Sequence, residues 1–331
     1  MSCFKISAKI KQNRIYLIKI AIRFFGEDVV NEILDICTGI RLLRSLTKKY
    51  NHKNYLILIS TFSLGDCLYA LSCLDAYKQK NPSKKIAVIG KERNRQILEL
   101  YSQIDELVLV SEEKDIDTYR KFMETKKLFR ISKKNNVFQT DPYCWGREVC
   151  QEYDAIYLLQ TYLFNLSQND IITYPDVPLV PVNSIKDFQC NKDRIVVLNP
   201  YSYSMYIMNE DLFSRICTVL NQSGYIVYTN VVGDQDVVEG SFELRCSIIE
   251  LYSIAMEIPY VISIRSGILD LLVNTNTKII ALYGECEDLI KTLYTLKGWK
   301  KGHVLEIFDT TDTDAVLSDV KEILEHDKEN E

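Results

Sequence analysis

Residues 261–284, VISIRSGILDLLVNTNTKIIALYG, constrain this chain more than any other stretch. A hydrophobic run from Tyr260 to Ile264 ends in Arg265-Ser266-Gly267, a helix-compatible run follows from Ile268 to Val273, and a second apolar run spans Lys278 to Tyr283. Apolar runs of strand length joined through a short helix read as strands of an α/β sheet. A turn with glycine and a hydroxyl at the carboxyl end of such a strand leaves backbone N–H groups free to face an anion. Arg265 in that turn is expected to fork onto a phosphate. The pattern therefore predicts a nucleotide-diphosphate pocket in which Arg265, Ser266 and Gly267 hold the diphosphate. A plain glycine turn with a surface arginine would be written with the same residues.

The rest of the chain repeats the strand–helix alternation twice. The first series has strands at 55–60, 84–90 and 106–110, with helices from Cys67 to Lys80 and from Asn94 to Tyr101. Residues 111–170 are less regular, rich in Lys and Tyr, with a turn at Asp141-Pro142. Tyr174 to Pro181 holds three prolines in eight residues and reads as an extended linker. A second series follows. It has a strand at 194–200, a helix from Glu210 to Asn221 capped by Asn209 and stopped by Gly224, and a strand at 225–231. Ser247 to Glu250 fits a capping box before a helix to about Met256, and a last helix runs from Asp314 to His326. The expectation is an α/β protein: two Rossmann-like domains facing each other across a cleft, with an N-terminal helical extension. Its boundaries are drawn at 1–50 for the extension, 51–180 and 181–310 for the two domains, and 311–331 for the final helix and tail.

Charge is uneven along this chain. Residues 1–50 hold ten Lys/Arg against four acids, a net of +6, so a chain of net −5 carries −11 over its remaining 281 residues. An acidic body argues against a nucleic-acid partner. In the basic start, Ile15, Ile18, Ile22 and Phe25 fall on one helical face with Lys11, Lys19 and Arg23 interspersed. No uncharged stretch is long enough to span a bilayer, and the interrupting charges fit a signal peptide poorly. Two readings stay open: a helix lying in an anionic membrane surface through residues 1–25, or a helix packed on the first domain. The ten cysteines form no CxxC pair, and only His52, His303 and His326 are present. Buried free thiols in a reducing cytoplasm are expected, and no zinc site.

Two further segments bear on chemistry. In Ser60-Thr61-Phe62-Ser63-Leu64-Gly65-Asp66, Gly65 permits a tight turn at the end of the first strand. Asp66 then opens the next helix as a carboxylate able to take a proton from a hydroxyl. Ser63-x-x-Asp66 is equally a capping box. Asn199 to Ser204 ends the second domain's first strand with hydroxyls that suit a phosphate, Ser202 among them. Asp234-x-Asp236 and Asp312-x-Asp314 match a metal–nucleotide tripeptide that arises readily by chance, and the second stands where a helix cap is needed. The glycine fingerprints of NAD sites and P-loops are absent, as is the Gly-x-Ser-x-Gly elbow of hydrolases.

Residues 55–110 and 194–284 resemble bacterial heptosyltransferase-type glycosyltransferases. The likeness rests on the strand, Ser-Leu-Gly-Asp turn and helix of ILISTFSLGDCLYALSCLDAYKQK, and on VISIRSGILDLLVNTNTKIIALYG in the second half. It implies the GT-B architecture, with a nucleotide-sugar donor in the C-terminal domain and an acceptor in the N-terminal one. By position it makes Asp66 the general base and places Ser266, Gly267 and the loop with Ser202 on the donor diphosphate. Asp234 and Asp236 fall near a ribose-binding acid. Arg265 stands where that family has Asp, and Asp270 where it has His. The Arg-Ser-Gly variant is closer to transferases of surface-polysaccharide clusters. The resulting expectation is an inverting, metal-independent sugar transfer to a glycan or lipid-linked acceptor, without cofactor, in the cytoplasm at the inner membrane face. Residues 111–170 would recognise the acceptor. A sugar-nucleotide epimerase of the same fold and a non-catalytic nucleotide-sugar-binding protein are the alternatives.

Overall fold

The computed structural model describes residues 21–50, 53–60, 63–113, 119, 134, 136–140, 154–167, 172–202, 210–284, 291, 294–299 and 303–330. Two all-parallel sheets form its frame. The first contains β1 (Tyr55–Ser60), β2 (Lys85–Lys91), β3 (Glu106–Val110) and β4 (Val137–Gln139) in the order β3-β2-β1-β4. The second contains β5 (Ile195–Asn199), β6 (Ile226–Asn230), β7 (Phe242–Leu244), β8 (Tyr260–Ile264), β9 (Lys278–Leu282) and β10 (Val304–Ile307) in the order β10-β9-β8-β5-β6-β7. Read from β7, the second order is 3-2-1-4-5-6, the doubly wound dinucleotide-binding topology. Among the described residues, the first sheet has the first four positions of the same order. The expected α/β architecture of two Rossmann-like halves is present.

Strand periodicity sorts the core into layers. Leu56 and Leu58 of β1 face a large apolar cluster that also takes in Val197, Val261 and Ile279 of the second sheet, so one body of side chains joins the halves. Ile57 and Ile59 face the opposite side, where Leu43 and Leu46 of α1 (Glu27–Lys49) and Tyr50 at its end cover the first sheet. The far face of the second sheet is covered by α4 (Glu210–Gln222) and α7 (Thr313–Asn330), through Phe213, Ile216, Val316 and Val320. The remaining helices used below are α2 (Leu64–Ser72), α3 (Leu74–Lys80), α5 (Ile248–Ala255) and α6 (Leu269–Leu272).

Several expectations shift in detail. The helix expected over Cys67–Lys80 is α2 and α3, meeting at Cys73. The helix expected to follow Gly267 is a single turn, α6. Strands β4, β7 and β10 are too short to announce themselves; two have three residues and one has four. At α5, Ser247 caps Glu250 N–H as expected, but the Glu250 carboxylate turns to Asn183 and Ser184 N–H and ties down the segment just after the linker. Cys67, Cys73 and Cys217 are buried free thiols, whereas Cys37 and Cys190 are exposed. Asn209, the turn at 141–142 and residues 1–20 lie outside the described residues. Among those described, no helix is long and apolar enough to cross a membrane.

Candidate functional site

In each sheet the strand order reverses once, between β1 and β4 and between β5 and β8. Ligands of doubly wound sheets bind outside the carboxyl ends of the strands at that reversal. The Ser63–Asp66 turn follows β1, the Asn199 loop ends β5, and Arg265-Ser266-Gly267 follows β8. The three segments singled out in the sequence therefore all stand at switch points.

The first turn is fixed by its own residues. Ser63 is the N-cap of α2: its Oγ accepts from Asp66 N–H at 3.3 Å and donates to Asp66 Oδ2 at 2.7 Å, while Ser63 N–H lies 3.3 Å from the same oxygen. Both halves of a capping box are thus made. Asp66 is only 5% exposed. Its other oxygen, Oδ1, accepts from Tyr294 Oη at 3.4 Å, a residue of the second half. Burial, helped by the neighbouring Asp270 and opposed by the Ser63 and Tyr294 bonds, leaves the Asp66 carboxyl raised to about 6. A carboxylate with that proton affinity is ionised at neutral pH and still a competent base. The capping and base readings of Asp66 are compatible.

The second turn is built differently, and Arg265 departs from expectation. Its side chain is 3% exposed, and all five guanidinium N–H donors are taken. Nε donates to the Tyr294 carbonyl (2.7 Å). Nη1 donates to the Ser266 carbonyl (2.6 Å) and Asp270 Oδ2 (3.1 Å), and Nη2 to Tyr69 Oη (2.7 Å) and Asp270 Oδ1 (2.7 Å). No donor remains for a phosphate, so the forked diphosphate contact expected of Arg265 is not available in this structure. Asp270, 1% exposed, also accepts from Tyr69 Oη (2.8 Å) and Trp299 Nε1 (2.9 Å). Burial works against the guanidinium charge, but Asp270 more than offsets it and holds Arg265 well above the usual arginine range. Tyr69, buried beside this pair, is likewise pushed well above the usual phenol range.

The two turns touch. A Cβ on Gly267 would lie 2.5 Å from Gly65 N and 3.2 Å from Gly65 Cα; one on Gly65 would lie 2.5 Å from Asp270 Oδ2 and 3.3 Å from Gly267 Cα. Neither glycine has a positive φ, so both are needed for close backbone approach rather than for an unusual conformation. Around them the Tyr69 ring stacks on Trp299 with centroids 4.9 Å apart, and Tyr174 of the linker lies 5.3 Å from the same indole. Tyr69, Asp270 and Trp299 carry much of this junction. Asp270 alone was marked in the sequence, as a departure; nothing local flags the two aromatics.

The remaining expected residues lie along the carboxyl edge of the second sheet. Ser266 Oγ is buried without a hydrogen-bond partner among the described residues, and so is Asn199 Nδ2 on the adjacent strand. Asn199 Oδ1 is occupied, accepting from Asn230 Nδ2 at 2.8 Å. Ser202 is half-buried beyond Asn199, and Tyr203 and Ser204 lie outside the described residues. Asp234 and Asp236 are exposed in the loop after β6, where the Asp236 carbonyl accepts from Tyr201 Oη at 2.8 Å. Asp312 is a helix cap, accepting from Asp314 and Ala315 N–H at 3.0 and 3.1 Å.

No family model matches the sequence, and no curated protein does. Solved structures do resemble it. One is a glycosyl transferase of family 9 from Veillonella parvula, 14% identical, covering 80% of this chain and 89% of its own at a TM-score of 0.55. Another is an E. coli heptosyltransferase with ADP-2-deoxy-2-fluoro heptose, 14% identical over 81% of this chain and 99% of its own, TM-score 0.53. A UDP-N-acetylglucosamine 2-epimerase described from Listeria monocytogenes is 9% identical over 83% of this chain and 88% of its own, TM-score 0.52. At these identities the likeness establishes the fold, which is that of GT-B glycosyltransferases.

Proposed function

We propose that this chain is a GT-B glycosyltransferase that moves a sugar from a nucleotide-diphosphate donor to a glycan or lipid-linked acceptor, with inversion and without a metal, in surface-polysaccharide synthesis. The observation that carries the reading is the meeting of two switch-point turns. A buried carboxylate of raised proton affinity stands on one side, and buried polar atoms without a partner among the described residues stand on the other. Buried polar groups are nearly always paired, so Ser266 Oγ and Asn199 Nδ2 suit a ligand that supplies oxygen atoms. On this reading Ser266, the Gly267 turn, Asn199 and Ser202 receive the donor diphosphate, and Asp234 or Asp236 the ribose. Asp66 removes the proton of the attacking acceptor hydroxyl. The diphosphate is bound through neutral donors, because Arg265 is committed elsewhere.

The solved structure that carries an ADP-sugar analogue on this fold supports a nucleotide-sugar donor. The epimerase-like neighbour keeps one alternative in view, conversion of a nucleotide sugar with no acceptor present. Membrane contact draws support from the start of the chain, where Phe24 and Phe25 are 75% and 67% exposed beside a basic segment, while the far end of α1 packs on the first sheet.

A screen of ADP, UDP, GDP and dTDP sugars by thermal shift, followed by transfer and donor-hydrolysis assays, tests the reading. Asp66→Asn should lower turnover by about 10²–10⁴-fold while nucleotide affinity holds. With Asp66 raised by burial, the wild-type rate should climb as pH rises through about 6 and level off above it, because only the ionised form accepts a proton. Full activity in Asp66→Asn would remove the base assignment, and acceptor-free conversion of a nucleotide sugar would favour the epimerase.

A further inference from the structure

Arg265 was expected to serve the donor, and its bonds lead instead to Asp66 by two routes. Through Nη2 it grips Tyr69 Oη, and Tyr69 stands three residues beyond Asp66 on α2, on the same side of the helix. Through Nε it grips the carbonyl of Tyr294, whose own hydroxyl reaches Asp66 Oδ1. Asp270 closes the circuit. It holds the guanidinium with both oxygens, accepts from Tyr69 and Trp299, and sets Oδ2 against Gly65, the residue before Asp66. The two departures from the family pattern are therefore a single feature, an acid and a base bonded to each other.

We propose, resting on the reading of Asp66 as the base, that Arg265 is its positioning residue. From the donor half, the Arg265–Asp270 pair fixes the helix below Asp66 and the tyrosine above it, so base and donor turn form one unit. A buried ion pair adds little net stability over an apolar replacement; what it supplies here is a single arrangement of the groups around the carboxylate. Asp270 from the turn after β8 and Tyr294 from the 294–299 segment face Asp66, Cys67 adjoins it on its own helix, and Tyr69 and Arg265 stand behind Asp270, each bonded to it. Substitutions that conserve every charge in this set report geometry alone.

The test uses the full chain labelled with ¹³C at aspartate carboxyls, the Asp66 signal being assigned by its loss in Asp66→Asn. Tyr69→Phe and Arg265→Lys keep all charges. Each should let water reach the carboxyl and lower its titration midpoint by at least about 0.5 pH toward the ordinary aspartate range. Calorimetric affinity for ADP, UDP and GDP should stay within about twofold of wild type, against the loss of about tenfold or more expected of a charged phosphate contact. Turnover should drop about tenfold or more in Tyr69→Phe. The same substitution should cost nothing further in the Asp66→Asn background, the signature of an effect exerted through Asp66. An unmoved Asp66 midpoint in folded Tyr69→Phe overturns the proposal, as does a tenfold affinity loss confined to Arg265→Lys. Should Arg265→Lys fail to fold, Tyr69→Phe decides alone. If wild type turns over no sugar nucleotide, the glycosyltransferase reading fails, while the midpoint still decides whether Arg265 positions Asp66.

Discussion

The turn after β1 and the turn after β8 occupy corresponding points of their sheets, each between a buried strand and a helix, and each contains a glycine. They are held in different ways. Ser63 and Asp66 satisfy one another within four residues, and the nine-residue α2 continues from them. The Arg265 turn has no such cap, since Ile268 before α6 makes no side-chain capping bond and α6 is four residues long. Its order comes from Tyr69, Trp299 and Tyr294, between 29 and 196 positions away. One turn is therefore secured within four residues, whereas the other is closed by its own Asp270 and Ser266 and then by side chains from distant segments, with Tyr69 supplying the bond from the other half.

The sharpest break in that comparison is Asp270→Ala. It would leave a fully buried guanidinium facing no charge, which costs about 3–5 kcal/mol. Urea unfolding should show this as a lowered midpoint, and a loss under about 1 kcal/mol would mean that the pair is far more hydrated than its burial implies. Exposed ion pairs give the contrast: with Glu92 and Glu99 about half exposed, Arg95→Ala should leave the urea midpoint close to that of wild type.

A middle-sized effect is expected at the contact itself. The Cβ of Gly267→Ala would meet the Gly65 backbone, which cannot swing aside as a flexible side chain can. Forcing the two turns apart should cost about 1–3 kcal/mol, the usual range for overpacking. Wild-type stability in Gly267→Ala would show that the halves separate freely at this point and that their contact is incidental.

The difference between the turns also explains what was legible in the sequence. Every longer strand and both flanking helix caps were readable, because alternation, Gly stops and Ser-x-x-Glu or Ser-x-x-Asp spacings act over a few residues. Strands β4, β7 and β10 were missed because three or four residues carry too little periodicity to stand out. In sequence Arg265 reads as a cation open to a phosphate, because its neighbours in the chain are apolar and small. The carboxylate that claims it is five residues on, and the hydroxyl that shares it belongs to the other half of the molecule. A turn rich in donors looks the same in sequence whether the ligand is a phosphate or a buried aspartate. Burial and partner identity decide between them, and both are properties of the assembled fold.

The smallest effect should come from the turn that is held locally. Ser63→Ala removes the acceptor for Asp66 N–H and the donor to Asp66 Oδ2 together, while Ser63 N–H stays in place. Loss of an N-cap costs about 1 kcal/mol, up to about 2. The same change strips the carboxylate of a bond that favours its charged form, so the Asp66 titration should move upward from about 6. Stability and titration then separate the two modes of support. If Ser63→Ala costs as much as Asp270→Ala, the first turn also depends on contacts across the junction. If it costs about 1 kcal/mol and raises the midpoint, the cap sets the local geometry of Asp66, and the other half of the molecule acts on it through Tyr69 and Tyr294.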